Sequence, residues 1–167
     1  IIIVCLPEYR ELFTNPTDKH IAFALPGKRR QDSVYNGLME ASKDSTLICI
    51  HDGARPFIDE ALVTRVLDAG IKYGAATVGM PIKFTIKQSD KEHFVQSTPD
   101  RELIWEIQTP QVIHKDLLLA GFKYANENNL TVTDDTSLVE LLGKEVKLIE
   151  GSHMNLKITV PSDLIIA

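Results

Sequence analysis

His51-Asp52-Gly53-Ala54-Arg55-Pro56 follows directly on the apolar run Leu47-Ile48-Cys49-Ile50. An Asp at the end of a buried strand can hold a hard cation through its carboxylate oxygens. Gly53 admits another backbone or a nucleotide at close range, and Arg55 offers a planar fork that suits a phosphate. These are the parts of a metal-assisted phosphoryl or nucleotidyl transfer site, at the strand end where open α/β sheets bind ligands. A plainer reading stands beside it, with Asp52 salt-bridged to Arg55 at i+3 and His51 packed in the core. The strand-end placement and the adjoining glycine favour chemistry.

Three weaker clusters follow the same logic. In Gly27-Lys28-Arg29-Arg30-Gln31-Asp32-Ser33-Val34, a strand ends, three cations follow, and Ser33 enters a helix whose N-terminus favours anions. Its plain alternative is a solvated basic turn. Thr98-Pro99-Asp100-Arg101, Trp105 and Gln108-Thr109-Pro110-Gln111 form a segment stiffened by proline. There Trp105 reads as a core anchor, while Arg101 and Thr109 are free to bind. Lys157 alternates with Leu156 and Ile158, so on a strand it points away from their face and could meet a phosphate, or simply water.

The elements that must position these residues alternate between strand-like and helical runs, as in an α/β layer fold. Strands are expected at 1–5, 21–25, 46–50, 75–80, 146–149 and 156–159. A helical turn is expected at 8–13, a loop at 15–18, and helices at 31–42, 60–73, 116–127 and 133–142, with a last one begun by Pro161-Ser162-Asp163. The clearest is 60–73, with Asp59 as its N-cap and Gly74 after its end. Each strand-helix-strand step predicts a right-handed crossover to a parallel neighbour. Residues 82–95 break the rhythm: Phe84-Thr85-Ile86-Lys87 and Phe94-Val95-Gln96 alternate around a polar turn, which predicts a projecting hairpin. Such an arm has little core to pack on, so a homodimer is expected.

The chain has 167 residues, 44% apolar and 25% charged, which suits one folded domain over 1–167 with the arm at about 82–112. A net charge of −5 argues against a general nucleic-acid binder. The apolar runs are far shorter than the ~20 residues of a membrane span. Cys5 and Cys49 lie in strand-like runs and read as reduced core thiols. The chain opens on Ile1-Ile2-Ile3-Val4-Cys5, already strand-like, so a preceding segment is expected, and 163–167 reads as a helix cut in its second turn.

Taken in order, the clusters resemble the 2-C-methyl-D-erythritol 4-phosphate cytidylyltransferase family. The matching residues are Gly27-x-x-Arg30-x-x-Ser33-Val34, His51 to Pro56, Thr85, Asp100-Arg101-x-x-x-Trp105, Gln108 to Gln111, Thr133-Asp134-Asp135-x-Ser137 and Asn155-Leu156-Lys157-Ile158-Thr159-x-Pro161-x-Asp163-Leu164. The resemblance implies a Rossmann-like nucleotidyltransferase fold: a three-layer α/β/α sandwich on a mostly parallel sheet, with a β-arm that joins a homodimer. It implies CTP and a sugar-alcohol phosphate as substrates and a divalent cation, normally Mg²⁺, as cofactor. Gly27, Lys28 and Ser33 match positions around the cytosine, although the family usually has an acid or similar polar group where Lys28 stands. Asp52 matches the Mg²⁺ ligand and Gly53 lies by the cytidine. Arg55, Thr109, Thr133 and Lys157 match positions around the methylerythritol phosphate. Thr85 and Arg101 match arm residues that reach the partner's site, and Arg101 with Lys157 would carry catalysis by holding the attacking phosphate. A cytoplasmic setting follows, or a plastid one if a transit peptide precedes the chain.

The resemblance also implies a glycine-rich loop before Ile1, with an Arg and a Lys around the triphosphate; nothing in the present residues replaces it. Two other functions stay open on sequence: activation of ribitol 5-phosphate by CTP, and a noncatalytic dimeric nucleotide-binding module. Ser33 with Val34, and Trp105 after Arg101, favour the methylerythritol branch.

Overall fold

Leu62, Val66 and Ala69 recur at helical spacing, and the computed structural model, which describes residues 1–13 and 19–166, buries all three on helix α2 (Glu60–Tyr73). The Asp59 carboxylate caps it by accepting from the Leu62 N–H at 2.7 Å. Gly74 ends it at φ 87°, a conformation that a Cβ would strain. The loop expected at 15–18 lies outside the described residues.

Strands β1 (Ile2–Val4) and β2 (Ala22–Ala24) pair in parallel as a sheet of their own. Helix α1 (Arg30–Met39) follows, then β3 (Leu47–Ile50), α2 and β4 (Ala75–Pro81). The arm carries β5 (Gln88–Ser89) and β6 (Val95–Ser97); β7 (Trp105–His114), α3 (Lys115–Glu127), α4 (Ser137–Glu140), β8 (Lys147–Glu150) and α5 (Asp163–Ile166) complete the order. The main sheet runs β3-β7-β4-β8, with β7 antiparallel to both neighbours and β4 parallel to β8. Three of its four strands therefore share a direction. Successive residues of one strand serve opposite cores. Ala75 and Ile113 face α3 and α4 residues, while Ala76, Val78 and Val112 face Leu62, Val66 and Ala69 of α2. This gives the expected three layers.

Several expectations change. The step from β3 through α2 does not lead to a neighbouring strand, because β7 inserts between β3 and β4. Residues 105–112, grouped with the arm on sequence, belong to β7 in the main sheet, which is buried from Thr109 to Ile113; the polar run Gln108-Thr109-Pro110-Gln111 hid it. Residues 156–159 form no strand, and 133–142 yields only the four-residue α4 after a capped turn. In the arm, pairing runs Gln88↔Ser97 and Ser89↔Val95, so 84–87 is not strand. The Asp90 carboxylate shapes that turn by accepting from the Glu92 and Phe94 N–H groups at 3.1 and 2.9 Å.

Among the described residues, β1 pairs only with β2 and β3 only with β7. Their open edges line a cleft of about 1240 Å³ that also touches Val34 and Leu38 of α1. Cys49, expected in the core, is exposed on the β3 side of this cleft, where among the described residues no strand covers it.

Helix α3 approaches α4 through Gly121, where a Cβ would stand 2.7 Å from the Leu138 carbonyl oxygen and 2.8 Å from its Cβ. Gly121→Ala gains helix propensity of about 1 kcal/mol but overpacks a backbone contact. A net loss of about 1–2 kcal/mol is expected, read from the urea midpoint at constant m. An unchanged midpoint would show that α4 gives way freely.

Candidate active site

The turn after β3 is held by side chains of β7. The Asp52 N–H donates to Thr109 Oγ1 at 3.0 Å, and Thr109 Oγ1 lies 3.1 Å from His51 Nδ1. His51 Nε2 is 2.9 Å from the Arg55 carbonyl oxygen, which can only accept. A neutral His51 therefore carries its proton on Nε2, and Thr109 donates its hydroxyl to Nδ1. His51 is a brace for the turn, close to the plain reading of a packed histidine.

The segment carrying Lys157 is irregular and is pinned at several points. Ile158 donates its N–H to the Ala54 carbonyl at 2.8 Å. The Arg55 Nη1 donates to the Asn155 carbonyl at 2.7 Å. The buried Asn155 amide donates to the Thr109 carbonyl at 2.8 Å and to Gln108 Oε1 at 3.1 Å. Thus the turn after β3, strand β7 and residues 155–158 are tied into one frame, and Lys157 projects from it toward Asp52.

Asp52 sits at the centre. Its Oδ2 accepts from Lys157 Nζ at 2.7 Å, with Arg55 Nε 3.9 Å away. Its Oδ1 accepts from Arg30 Nη2 at 3.2 Å. Burial would raise the Asp52 carboxyl, but Lys157 and Arg30 outweigh it and hold the group below the usual carboxylate range. Burial pulls the Arg55 guanidinium down, against the pull of Asp52.

Arg30 also grips Asp135 with both nitrogens, Nη1 to Oδ1 at 3.0 Å and Nη2 to Oδ2 at 2.8 Å. Burial keeps the Asp135 carboxyl above its ordinary range despite this partner. Gln111, fully buried on β7, orders the approach to α4. Its amide donates to Thr77 Oγ1 and Asp134 Oδ2 at 2.8 and 2.7 Å, and its Oε1 accepts from the Asp135 N–H at 2.8 Å. Asp134 in turn accepts from the Thr136 hydroxyl at 2.6 Å and from the Ser137 hydroxyl. Burial is again outweighed, and these hydrogen bonds hold Asp134 low.

Asp52, Arg55, Thr109, Thr133 and Lys157 line one cavity of about 1120 Å³, with Trp105 and Ile107 among its walls. The half-buried Trp105 is thus a wall of this cavity more than a core anchor. Other expected residues lie elsewhere. Gly53 and Ser33 border the cleft between the sheets. The Gly27 N–H donates to Ser33 Oγ at 2.9 Å, which closes the turn into α1, and Lys28 beside it is exposed. Thr85 and Arg101 are exposed on the arm, outside the cavity. On sequence, Arg30, Gln111 and Asn155 had no role at the site and Asp135 only that of a helix cap, although each stands inside a singled-out motif; Asp135 instead pairs with Arg30.

A divalent cation fits this donor set in one way. Among the described residues no three His, Cys, Asp or Glu side chains converge, so the protein alone builds no cage. One half-buried carboxylate suits Mg²⁺, which commonly takes its other ligands from substrate phosphates and water.

The family model described as 2-C-methyl-D-erythritol 4-phosphate cytidylyltransferase matches residues 1–167. A chloroplastic rice protein of that name is 48% identical over 170 residues, covering 100% of this chain and 57% of its own length. One from Caldanaerobacter subterraneus is 42% identical over 173 residues, covering 100% and 76%. The chain thus spans little more than half of the rice relative. Among solved structures, the 4-diphosphocytidyl-2C-methyl-D-erythritol synthase of Anaerococcus prevotii superposes with a TM-score of 0.93 at 31% identity, covering 99% of this chain and 78% of its own. The 2-C-methyl-D-erythritol 4-phosphate cytidylyltransferase of Thermus thermophilus gives 0.82 at 34%, covering 99% and 78%.

Proposed function

The chain belongs to the 2-C-methyl-D-erythritol 4-phosphate cytidylyltransferase family, and from that premise we propose that it joins CMP from CTP to 2-C-methyl-D-erythritol 4-phosphate and releases pyrophosphate. A phosphate oxygen of the sugar phosphate attacks the α-phosphorus of CTP, the bond from that phosphorus to the β-phosphate oxygen breaks, and pyrophosphate leaves with the electron pair. The observation that carries the reading is the convergence of Asp52, Lys157 and Arg55 at the end of β3, in a cavity shared with Thr109 and Thr133.

Two polyanions must meet in this reaction, so the protein's work is charge compensation and positioning. Lys157 leaves Asp52 Oδ2 for the incoming phosphate, and Arg55, anchored on the Asn155 carbonyl, offers its remaining N–H groups beside it. Asp52 would hold Mg²⁺, which when bound neutralises and orients phosphate oxygens. Gly27, Lys28, Ser33 and Gly53 lie on the side of α1 and β3 where cytidine is proposed to bind. The reading also needs the glycine-rich loop of the family. The cleft between the open edges of β1 and β3 would receive a strand leading into it, and the greater length of the relatives supports this.

The arm supports a homodimer. Phe84, Phe94 and Leu103 are 79%, 71% and 78% exposed. Burying three such side chains is worth about 1.5–3 kcal/mol each, and a partner would bring Thr85 and Arg101 to the neighbouring cavity. Phe94→Asp should shift the protein toward monomer in sedimentation and lower turnover with it. A monomeric wild type would remove the composite site. Among the described residues no helix is long and apolar enough to cross a membrane. The setting proposed is cytoplasmic, or plastid if a transit peptide precedes the chain.

Incubation of the full-length protein with CTP, Mg²⁺ and each sugar phosphate, followed by ³¹P NMR, tests the assignment. A new diphosphate diester with methylerythritol phosphate is expected; turnover of ribitol 5-phosphate alone would reject it.

A further inference from the structure

We infer that Arg30 is a positioning residue: anchored on buried Asp135, it fixes Oδ1 of Asp52 and leaves Oδ2 as the oxygen that exchanges partners. The inference rests on the proposed function and adds a division of labour within one carboxylate.

The geometry separates the two oxygens. Among the described residues, the side-chain cation hydrogen-bonded to Oδ1 is Arg30, at 3.2 Å from Nη2 and 3.4 Å from Nε. Oδ2 meets Lys157 at 2.7 Å and Arg55 at 3.9 Å. These cations differ in freedom. Lys157 is 41% exposed on a flexible stem, and Asp52 is its one carboxylate partner among the described residues. Arg30 cannot leave so easily. Its guanidinium is bidentate to Asp135, whose side chain is 1% exposed and whose backbone is held by Gln111.

Moving Arg30 away would strand a buried carboxylate, which costs several kcal/mol. Arg30 begins α1 and Asp135 precedes α4, so the clamp also joins two elements that no strand pairing connects. Charge makes the arrangement workable. Asp135 offsets the charge of Arg30, so the clamp can stay on Oδ1 without adding a full positive charge against a cation arriving at Oδ2. A lone Arg in that place would compete with the cation, and a neutral residue would let the carboxylate turn. Arg30 thus acts as an outer partner of a metal ligand, a kind of contact whose loss typically costs 10–100-fold in affinity.

The test titrates Mn²⁺ into the full-length protein with CTP present, counts the free ion by electron paramagnetic resonance and subtracts the ion that CTP holds without protein. Arg30→Gln and Asp135→Asn are each expected to weaken Mn²⁺ binding by about 10–100-fold and to raise the Mg²⁺ needed for half-maximal rate in proportion. Turnover at saturating Mg²⁺ should change far less. Because Asp135 acts through Arg30, adding Asp135→Asn to Arg30→Gln should weaken the ion no further. Arg30→Lys should not rescue, since one ammonium cannot span both carboxylates. Should Arg30→Gln fail to fold around its orphaned Asp135, the double variant, which leaves no buried charge, carries the test. Mn²⁺ affinity within about twofold of wild type in the folded variants would overturn the clamp and leave the function standing. A wild type that holds no Mn²⁺ with CTP would overturn the function, and the clamp with it.

Discussion

Asp52→Asn should abolish nearly all turnover, by about 10³-fold or more, since a bound cation is worth several kcal/mol of charge stabilisation and each 1.36 kcal/mol is a factor of ten. The substitution keeps the shape of the side chain and its backbone hydrogen bond to Thr109, so folding should survive. What changes is the charge at the centre of the cluster. Lys157, Arg30 and Arg55 now converge on that carboxylate. Without it, Lys157 and Arg55 become free for anions, while Arg30 stays on Asp135. The Asp52→Asn variant should therefore retain or improve its affinity for the sugar phosphate while losing the dependence of CTP binding on Mg²⁺. Isothermal titration with and without Mg²⁺ separates the two effects. An Asp52→Asn enzyme with near wild-type turnover would remove the carboxylate from the mechanism.

Lys157→Met should lower turnover by about 10²–10³-fold, the range seen when one electrostatic stabiliser of a transition state is removed. Met keeps the length and the apolar stem but not the charge. The ion pair to Asp52 is half-exposed at the Lys157 end, so its loss should cost little stability, about 0–1 kcal/mol. A large rate effect with a small shift in melting would locate the role of Lys157 in phosphate binding. Weaker binding of the sugar phosphate should accompany the fall in rate, with CTP affinity less changed. Lys157→Arg is a useful companion, because a fork of different reach should restore charge without full geometry. If Lys157→Met turns over normally, the pairing with Asp52 is structural and the attacking phosphate is held elsewhere.

Parts of the molecule could be read residue by residue because their causes are local. Asp59 and Gly74 bound α2 at the positions expected, since capping needs only a side chain within three residues of a free N–H. Asp52 and Arg55 fall after β3 as the apolar run ending at Ile50 predicts. The errors have a common cause. Strand β7 was unreadable because Gln108, Thr109 and Gln111 are polar and Pro110 interrupts them. Their polar groups are satisfied by hydrogen bonds to Asn155, Asp52, Thr77 and Asp134, which are distant in sequence, and this lets Thr109 and Gln111 be buried. The alternation Leu156-Lys157-Ile158 imitated a strand, but the Ile158 N–H is spent on the Ala54 carbonyl and no ladder forms.

The chemical repertoire of this protein and its local geometry are written in the order of its residues: which side chains carry charge, which helix ends are capped, and that a carboxylate and a guanidinium leave the same strand three residues apart. Partnership came with the packed fold. It brought Lys157 to one oxygen of Asp52 and Arg30 to the other, placed Asp135 behind Arg30 from 105 positions away, and left Thr85 and Arg101 out on the arm. The reason is range. Capping and periodicity act over a turn or two of chain, whereas an ion pair acts through space between whichever elements the packed sheet sets side by side.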